Sequence, residues 1–359
     1  MSNKEYAKGV VPSMKRRLDG HDYSDRQMYL ITLVVEGRRP LLGDVQGVEG
    51  IPEDCPDCAR FVPSALGEAV SQCWWDIQRF HPEIKVEAIQ MMPDHLHGIL
   101  FVQKKMSVHL GKAIIGFKVG CHKAYRQLLE KAPDALPLPS ASQAVQYVAA
   151  LQRPTEQRGN TGKDGTKKRG GTEKGYLFEK GYNDRLLLHA GQFEKWMCYL
   201  RDNPRRLLMK RNHPDLFRLQ RHIQAGGFTF DGIGNHFLLD WPMKLQVQCS
   251  RSLTDDEIET QKENFLQQAR KGAVLVSPSI SPGEKSIMRA AVDEGLPVIT
   301  LVENGLTPYT KPTGRSMETC ASGKLLILAP WQHHNEQLTI TREQCLQLNA
   351  MAQAICSVR

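Results

Sequence analysis

The first half of the chain shows two hydrophobic rhythms, one with the period of a strand and one with the period of a helix. Apolar runs of strand length occur at three places, residues 28–35, 84–92 and 95–103. Apolar side chains three or four residues apart occur at two places, residues 63–80 and 108–130. The pattern therefore predicts three strands and two helices, with residues 39–62 as a loop rich in Pro and Gly.

The pattern changes over residues 132–174, which are rich first in Pro and then in Gly, Thr and Lys. Such a segment buries little apolar area, so it predicts a flexible insertion. Order returns with a predicted strand, containing a bend, over residues 176–188. A helix is predicted over residues 191–203, and we expect it to end before Pro204 because a residue that precedes proline disfavours the α conformation.

Strands and helices alternate in the second half of the chain. Predicted strands cover residues 245–249, 273–277, 297–302 and 325–329, and predicted helices cover residues 254–270, 283–294 and 341–355. This alternation predicts an α/β domain with a mainly parallel sheet. We place the boundary near Gly226 and Gly227, which gives domains of residues 1–225 and 226–359.

One loop of the second domain suggests an alternative function. Ser277 to Gly283 follows a predicted strand, so it would lie at the carboxyl edge of the sheet, where such domains bind ligands. No Gly-x-Gly-x-x-Gly or Walker motif is present. Nucleotide sensing through this domain is therefore kept as an alternative hypothesis.

Composition narrows the class of protein. The length of 359 residues favours two domains, and a hydrophobic fraction of 41% is enough for a core in each. Without an apolar run of about 18 residues or an apolar leader, neither a membrane span nor a secretory signal is predicted. The nine scattered cysteines are typical of a reducing cytosol, so a cytoplasmic protein is expected. Cys55 and Cys58 have a metal-like spacing but no second pair, which favours a surface loop over a zinc site.

Charge is distributed unevenly along the chain. Residues 226–359 contain 12 basic and 14 acidic side chains, a net charge of −2. Because the whole chain carries +8, residues 1–225 carry +10. A basic half beside a nearly neutral half points to a polyanionic partner for the first domain.

The strongest chemical motif is the His95-Leu96-His97 triplet at the start of a predicted strand. In a strand, residues i and i+2 point to the same face, so both imidazoles project together while Leu96 enters the core. Two neutral imidazoles side by side can hold one divalent metal ion. The alternative is a pair of strand histidines without a ligand.

A second candidate pair lies on the predicted helix 191–203. Tyr199 and Asn203 are four residues apart and share a helix face. A tyrosine has a free pKa near 10, so as a nucleophile it needs a polarised electrophile, which a metal ion on a phosphate provides. An amide oxygen from Asn203 would add a third metal ligand. Taken singly, Tyr199 is better explained as a core or surface aromatic residue, and Asn203 as a helix C-terminal residue before proline.

Two motifs in this order resemble a known family. They are Met-Pro-Asp-His-Leu-His at residues 92–97 and Tyr-Leu-Arg-Asp-Asn-Pro at residues 199–204. Together they look like the motifs of single-tyrosine HUH transposases, and most like those of the REP-associated tyrosine transposases. Residues 181–185 (Gly-Tyr-Asn-Asp-Arg) resemble the strand that precedes the tyrosine helix in that family. The resemblance covers residues 25–215.

The resemblance implies a fold, a reaction and a partner for residues 1–225. The fold would be α+β and ferredoxin-like, an antiparallel sheet with helices. His95, His97 and Asn203 would bind Mg²⁺ or Mn²⁺. Tyr199 would attack the scissile phosphate of single-stranded DNA beside a hairpin, giving a 5′-phosphotyrosine and a free 3′-OH. Neither ATP nor a membrane is implied, and a homodimer is compatible with this family.

Basic residues around these motifs are candidate contacts to the DNA backbone. They are Lys112, Lys118, Lys123, Arg126, Lys167, Lys168, Arg169, Arg205, Arg206 and Lys210. For those on the helix 108–130, a solvated cationic face is an equally good explanation.

The chain departs from the family pattern at several points. Asp94 stands where the family motif has Asn, and it would either tune the metal or cap a turn. The second domain, Rossmann-like by prediction, resembles those of DNA-processing proteins such as DprA through residues 272–278 and 294–298. Tyr182 is a rival nucleophile, although it has no amide at i+4. A domesticated DNA-binding regulator without turnover is a further alternative, against which the intact His, His, Tyr and Asn set argues.

Overall fold

A computed structural model describes residues 18, 20–51, 54–131, 176–250, 252–336 and 338–357. Contacts between residues divide the chain into two compact units between Leu208 and Met209. The predicted insertion over residues 132–174 lies outside the described residues, and so do the candidate DNA contacts within it, Lys167, Lys168 and Arg169.

The first unit is built on a four-stranded antiparallel sheet. Its strands in chain order are β1 (Gln27–Val34), β2 (Gly43–Gln46), β3 (Arg60–Pro63), β4 (Ile84–Met92), β5 (His95–Val102) and β6 (Asn183–Leu186). The sheet has the order β4-β5-β1-β6, and every neighbouring pair is antiparallel. The three strands predicted from the apolar runs are therefore confirmed, and they lie side by side.

The remaining strands of this unit correct the loop prediction over residues 39–62. β2 and β3 pair as a separate antiparallel hairpin. At Gly43, with a φ of +147°, an added Cβ would lie 2.2 Å from the carbonyl oxygen of Val62, so this close approach requires glycine. Strands of four residues are too short to show a clear hydrophobic period, which is why the pattern did not predict them.

Four helices complete the unit: α1 (Ala65–Trp75), α2 (Ile77–Phe80), α3 (Leu110–Lys131) and α4 (Gln192–Asn212). α1 begins after Ser64, whose hydroxyl accepts a hydrogen bond from the N–H of Gly67. α1 and α3 cover one face of the sheet, where Trp74 and Phe117 pack with Leu96 in the large buried core. We call this side of the sheet the core face.

Trp74 explains the residue that follows the histidine motif. Its fully buried ring is held by a hydrogen bond from the indole N–H to the carbonyl oxygen of Ala88, at 3.1 Å. At Gly98 an added Cβ would lie 2.1 Å from Cζ2 of Trp74. The ring packs against the backbone of β5, and only glycine leaves room for it.

α4 covers the opposite face of the sheet. Leu200 of this helix packs in a small buried cluster with Leu30, Ala88 and Ile99, whose side chains point away from the large core. Because side chains alternate along a strand, His95 and His97 share this side of β5 with Ile99. We call it the site face.

α4 also corrects a prediction. The helix was expected to end at residue 203, but it continues through Pro204 to Asn212. Proline has no N–H, so the carbonyl of Leu200 loses its helical partner at this point. Leu200, Asn203 and Pro204 are all buried, and this packing outweighs the local preference of the residue before proline.

The second unit contains a six-stranded sheet. Its strands are β7 (Gln220–Ala225), β8 (Phe228–Gly234), β9 (Lys244–Gln246), β10 (Val274–Ser277), β11 (Val298–Leu301) and β12 (Leu325–Ala329). The order is β7-β8-β12-β11-β10-β9, with β9 to β12 parallel and β8 antiparallel to β12. The prediction of a mainly parallel sheet is confirmed.

Helices pack on both faces of this sheet. They are α5 (Asp255–Arg270), α6 (Pro282–Asp293), α7 (Arg315–Ala321) and α8 (Arg342–Ser357). Buried residues of α5, α6 and α7 belong to one core cluster, and those of α8 belong to another. α7 was not predicted, because seven residues are too few for a helical period to stand out.

The glycine pair that suggested a domain boundary has a different role. Gly226 and Gly227 have φ angles of +57° and +80° and form the turn between β7 and β8, which are paired antiparallel. The pair is a hairpin turn inside the second unit, and the division between units lies earlier, after Leu208. Consecutive residues with positive φ are typical of tight hairpin turns as well as of linkers.

None of the helices in the described part of the chain combines the length and the hydropathy of a membrane span.

Candidate active site on the sheet of the first unit

His95 and His97 lie next to each other at the start of β5, the second strand from one edge of the sheet. β5 is flanked by β1 and β4, and His97 pairs with Thr32 on one side and Gln90 on the other. The two imidazole centroids are 4.9 Å apart, with the rings nearly perpendicular at 84°. Leu96 between them is fully buried on the core face, as the alternation predicted.

Each histidine is held through its Nδ1 atom. Nδ1 of His97 lies 2.9 Å from Oγ1 of Thr32, and Nδ1 of His95 lies 2.6 Å from a carboxylate oxygen of Asp94. Neither Nε2 atom makes a hydrogen bond to the described residues. A ligand can therefore approach both imidazoles through Nε2, and a carboxylate behind a histidine is the usual support of a metal-binding imidazole.

Asp94 links this arrangement to a cation. Its second carboxylate oxygen accepts a hydrogen bond from Arg38 at 2.9 Å. Burial alone would raise the pKa of Asp94, but the hydrogen bond from His95 and the charges of His95 and Arg38 outweigh it and lower the pKa to about 2. Asp94 is therefore a carboxylate at neutral pH.

His97 is neutral at the same pH. Burial lowers its pKa to about 3, and the charges of His95 and Arg185 act in the same direction. A neutral imidazole is the form that binds a metal ion. The burial that disfavours protonation of His97 therefore also keeps it ready as a ligand.

The structure places Tyr199 beside the histidines. The Tyr199 ring is half-buried, and its centroid lies 5.8 Å from that of His97. Trp196, three residues earlier on α4, packs edge-on against it with centroids 5.5 Å apart. On the other side, the guanidinium carbon of Arg206 lies 5.5 Å from the ring centroid.

Asn203 lies one helical turn after Tyr199. Its side chain is buried, with 9% of the residue exposed, and its carboxamide makes no hydrogen bond to any described residue. The Nδ2 atom is enclosed, so the amide oxygen is the end left for a ligand. A buried amide without a partner is costly, and a ligand on its oxygen would offset part of that cost.

The available donors limit how a metal ion could be held. Within the described ranges, no three side chains of His, Cys, Asp or Glu lie close enough together to hold one. A metal ion on His95 and His97 would take its third protein ligand from an amide such as that of Asn203. The same finding leaves Cys55 and Cys58, half-buried in the turn between β2 and β3, without the further ligands of those types that a zinc site needs.

Tyr182, the rival tyrosine, lies elsewhere. It is 8% exposed and belongs to the large buried cluster of the core face. The histidines project from the other face of the sheet. The structure therefore brings Tyr199, and not Tyr182, to the histidine pair.

Four of the ten predicted cationic contacts lie on the other side of the sheet from the histidines. Lys112, Lys118, Lys123 and Arg126 lie on α3, which covers the core face. The ammonium of Lys118 donates to the carbonyl oxygens of Glu179 and Gly181, and burial lowers its pKa. The hydrophobic pattern places these residues on a helix but does not say which face of the sheet that helix covers.

The three predicted cations that follow Tyr199 are divided. Arg205 donates to Asp202 at 2.6 Å, and Arg206 lies over the Tyr199 ring. Lys210 falls after Leu208 and belongs to the second unit. Of the seven predicted DNA contacts that lie in the described part of the chain, Arg206 is the one in contact with Tyr199.

Sequence reasoning missed four residues that shape the site. Thr32 orients His97, Arg38 holds Asp94, and Arg185 lies with its guanidinium carbon 5.6 Å from the ring of Trp196. Thr32 left a signal, because it is the only polar side chain in the apolar run of residues 28–35. Arg38, Arg185 and Trp196 left none, since their positions depend on how the strands pair.

A large cavity of this unit lies away from the candidate site. It has a volume of about 1310 Å³ and is lined by α3 and residues 176–182. Its lining includes neither histidine of the motif nor Tyr199. The histidines project instead from the sheet face that α4 covers.

The predicted ligand loop of the second unit is occupied by the protein itself. The buried carboxylate of Glu284 accepts hydrogen bonds from the N–H groups of Ile280 and Ser281, at 2.7 and 3.2 Å. The hydroxyl of Ser281 in turn caps α6. A phosphate at this helix N-terminus would need such N–H groups, and it would be repelled by the carboxylate.

Comparisons with known proteins give limited information. No protein-family model matches the chain. An uncharacterized protein of Haemophilus influenzae is 28% identical over 96 residues, which are 27% of this chain and 47% of that protein. The chain thus spans about half the length of this relative.

A structural neighbour has also been solved, a REP-associated tyrosine transposase bound to a REP hairpin. The similarity covers 57% of this chain and 73% of that one, with 9% identity and a TM-score of 0.27. A similarity at this level carries no argument about fold or activity. A functional assignment must therefore rest on the residues of this chain.

Proposed function

We propose that the first unit is a metal-dependent nuclease and strand transferase for single-stranded DNA, acting in transposition or on repeated hairpin elements. One observation carries the proposal. The Tyr199 ring lies 5.8 Å from that of His97, on the sheet face where both histidines have unbonded Nε2 atoms. A phenol beside two imidazoles that are ready for a metal ion is suited to attack on a phosphate.

The topology supports a ferredoxin-like assignment for this unit. A strand, a helix, two strands, a helix and a strand follow one another as β1, α1, β4, β5, α3 and β6, around the small hairpin of β2 and β3 and the short α2. The antiparallel order β4-β5-β1-β6 is the one that such a succession needs when both helices cover the same face. The parallel strands β9 to β12 similarly support a Rossmann-like assignment for the second unit.

A metal ion would be held by Nε2 of His95, Nε2 of His97 and the amide oxygen of Asn203. We propose Mg²⁺ or Mn²⁺, which when bound would polarise a phosphate oxygen and leave room for water. Asp94 and Thr32 fix the imidazoles so that the Nε2 atoms point outward, and burial keeps His97 neutral.

The proposed reaction is a transesterification, in which Tyr199 replaces the 3′ oxygen of the DNA on the scissile phosphorus. The hydroxyl oxygen of Tyr199 forms a bond to the scissile phosphorus as the bond from phosphorus to the 3′ oxygen breaks. The tyrosine gives up one proton and the leaving 3′ oxygen gains one, so no cofactor is consumed. The product is a 5′-phosphotyrosine and a free 3′-OH, and attack by a 3′-OH reverses the reaction and joins strands.

The partner we propose is single-stranded DNA next to a hairpin. Residues 1–225 carry a net charge of +10, which favours a polyanion. Tyr199 lies on α4 against this sheet face, and an unpaired strand can bend its backbone to such a half-buried tyrosine more easily than a duplex can. A base pair would have to open before its backbone could bend into such a site.

The proposal is tested by trapping the covalent product. The full chain is mixed with hairpin oligonucleotides that carry single-stranded flanks, taken from the DNA around its own gene, with Mn²⁺ or with EDTA. We expect a protein–DNA band on a denaturing gel that forms with Mn²⁺ only. Tyr199→Phe should abolish the band, because it removes the attacking oxygen and little else.

Tyr182→Phe is the matched control, since it removes a hydroxyl from the core face of the same sheet. It should retain the band. If only Tyr182→Phe lost the band, the proposed reaction would stand, but its nucleophile would be Tyr182 and not Tyr199. If the protein bound several hairpins but formed no covalent band with any of them, the alternative of a DNA-binding regulator without turnover would be favoured over the enzyme.

A further inference from the structure

Arg206 is the cation of the described residues that lies against the proposed nucleophile. It follows Tyr199 by seven residues, two turns of α4, so both side chains lie on the same side of the helix. The guanidinium carbon is 5.5 Å from the centre of the Tyr199 ring, and that ring is 5.8 Å from the ring of His97. The phenol of Tyr199 is thus in contact with both an imidazole and a guanidinium.

The surroundings of Arg206 differ from those of its neighbour. The Arg206 side chain is 16% exposed, against 27% for Arg205. Asp202 accepts a hydrogen bond from Arg205 at 2.6 Å, whereas its distance to Nε of Arg206 is 3.9 Å. Asp202 is therefore closer to Arg205 than to Arg206, and the guanidinium of Arg206 lies against the ring of Tyr199.

A cation beside the nucleophile is well placed to assist phosphoryl transfer. Negative charge is spread over the non-bridging oxygens while the bonds to phosphorus are exchanged, and preorganised cations stabilise it. A guanidinium offers a planar pair of N–H donors that match two phosphate oxygens. A phosphate attacked by Tyr199 must lie beside its ring edge, within the reach of an arginine that already packs on that ring.

We propose that Arg206 is a catalytic residue that contacts the non-bridging oxygens of the scissile phosphate, both during attack and in the phosphotyrosine. This inference rests on the proposed function of the site and gives one predicted backbone contact a specific role. Arg206 neither gives nor takes a proton in the exchange. Its contribution is electrostatic, and the proton balance between Tyr199 and the 3′ oxygen is unchanged.

The test separates rate from binding. Adduct formation by the full chain is followed at saturating hairpin, and hairpin affinity is measured by fluorescence anisotropy with EDTA to prevent cleavage. Arg206→Gln should slow the adduct by about 10²- to 10³-fold, the usual cost of losing one such donor, with affinity within about threefold, roughly what one exposed phosphate contact contributes. Arg206→Lys should recover part of the rate, and Arg201→Gln, which changes an exposed arginine of the same helix, should stay near the wild-type rate.

A neutral substrate distinguishes contact from structure. A methylphosphonate at the scissile position removes the charge that Arg206 would stabilise, so Arg206→Gln and wild type should then react at similar rates. An equal loss on both substrates, or a fall in affinity that accounts for the whole loss, would overturn the role of Arg206 while leaving the proposed reaction intact. Absence of any adduct from the wild-type chain would overturn the reaction and Arg206 together. Circular dichroism of each variant confirms that α4 remains folded.

Discussion

The two faces of the four-stranded sheet are made by the same strands and serve different ends. The core face carries large apolar side chains from β1 and β5, closed by Trp74 and α3. The site face has a smaller buried apolar cluster, Leu30, Ala88, Ile99 and Leu200, and it carries both histidines. Alternate residues along each strand point to opposite faces of the sheet, so the side chains that pack the core are different residues from those at the candidate site. A substitution on the site face can therefore leave the packing of the core face undisturbed.

The largest expected effect on activity comes from the site face. His97→Ala removes a proposed metal ligand, and the loss of adduct should reach about 10³-fold, the scale of a missing charge-stabilising group. The measurement is the adduct rate with Mn²⁺. His122→Ala is the matched control, because His122 lies on α3 over the core face and should leave the rate unchanged. If both variants lost the same fraction of the adduct rate, His97 would have no specific role in the reaction.

A comparable effect on stability should come from the core face. Trp74→Ala opens a cavity and leaves the carbonyl of Ala88 without its donor, so the free energy of unfolding should fall by about 3–5 kcal/mol. Trp196→Ala, on the half-buried side of α4, provides the comparison and should cost clearly less. Urea unfolding of both variants measures the two values. If Trp196→Ala cost as much, the site face would contribute to the core in the same way.

Asp94→Asn should have an intermediate effect, because it changes the support of a ligand and not the ligand itself. Apparent affinity for Mn²⁺ should fall by about 10- to 100-fold, as for other residues behind a metal-binding histidine. Metal titration of the adduct rate gives this value. An unchanged affinity would assign Asp94 to the turn between β4 and β5 only.

The same variant also carries a pH signature. Since the folded-state pKa of Asp94 is lowered from 3.8 to about 2, the unfolded chain binds this proton first as the pH falls. The stabilisation from this carboxylate is therefore complete above about pH 4 and is lost as the pH falls through about 2. Asp94→Asn should flatten the stability profile in that window, which unfolding measurements across pH would show.

The smallest effect is expected from the cations of α3. A triple change of Lys112, Lys123 and Arg126 to Gln should alter hairpin affinity by less than about threefold, because these side chains lie over the core face. The slope of affinity against salt measures how many phosphates are contacted. A fall in that slope by about three would show that the DNA extends around the unit to α3.

The sequence was informative where a signal is local. The alternation of residues 95–102 placed the two histidines on one face, and the spacing of Tyr199 and Asn203 placed both on one helix face. The strand order β4-β5-β1-β6 determines which face of the sheet each helix covers. The hydrophobic period of a segment does not reveal that order. For this reason the basic residues of α3 were grouped with the site, and the closeness of Arg206 to Tyr199 was not foreseen.

Other failures came from packing that overrides local preference. Pro204 predicted a helix end, yet α4 continues because its buried residues hold it against the sheet. Gly226 and Gly227 predicted a linker, although a hairpin turn needs the same backbone freedom. In both cases the local sequence correctly indicated an unusual backbone, but it carried no information about the residues that pack or pair with that segment.

The contact of Gly98 with Trp74 ties the residue after the histidine motif to a residue of α1 on the far side of the sheet. A methyl group at position 98 would stand 2.1 Å from the indole ring, so it can be accepted only if position 74 becomes smaller. Over evolutionary time the two positions are therefore expected to change together, a large ring with glycine or a smaller side chain with alanine. Relatives of this chain that keep both histidines can be sorted by that pairing, because it reports whether α1 still lies where it does here.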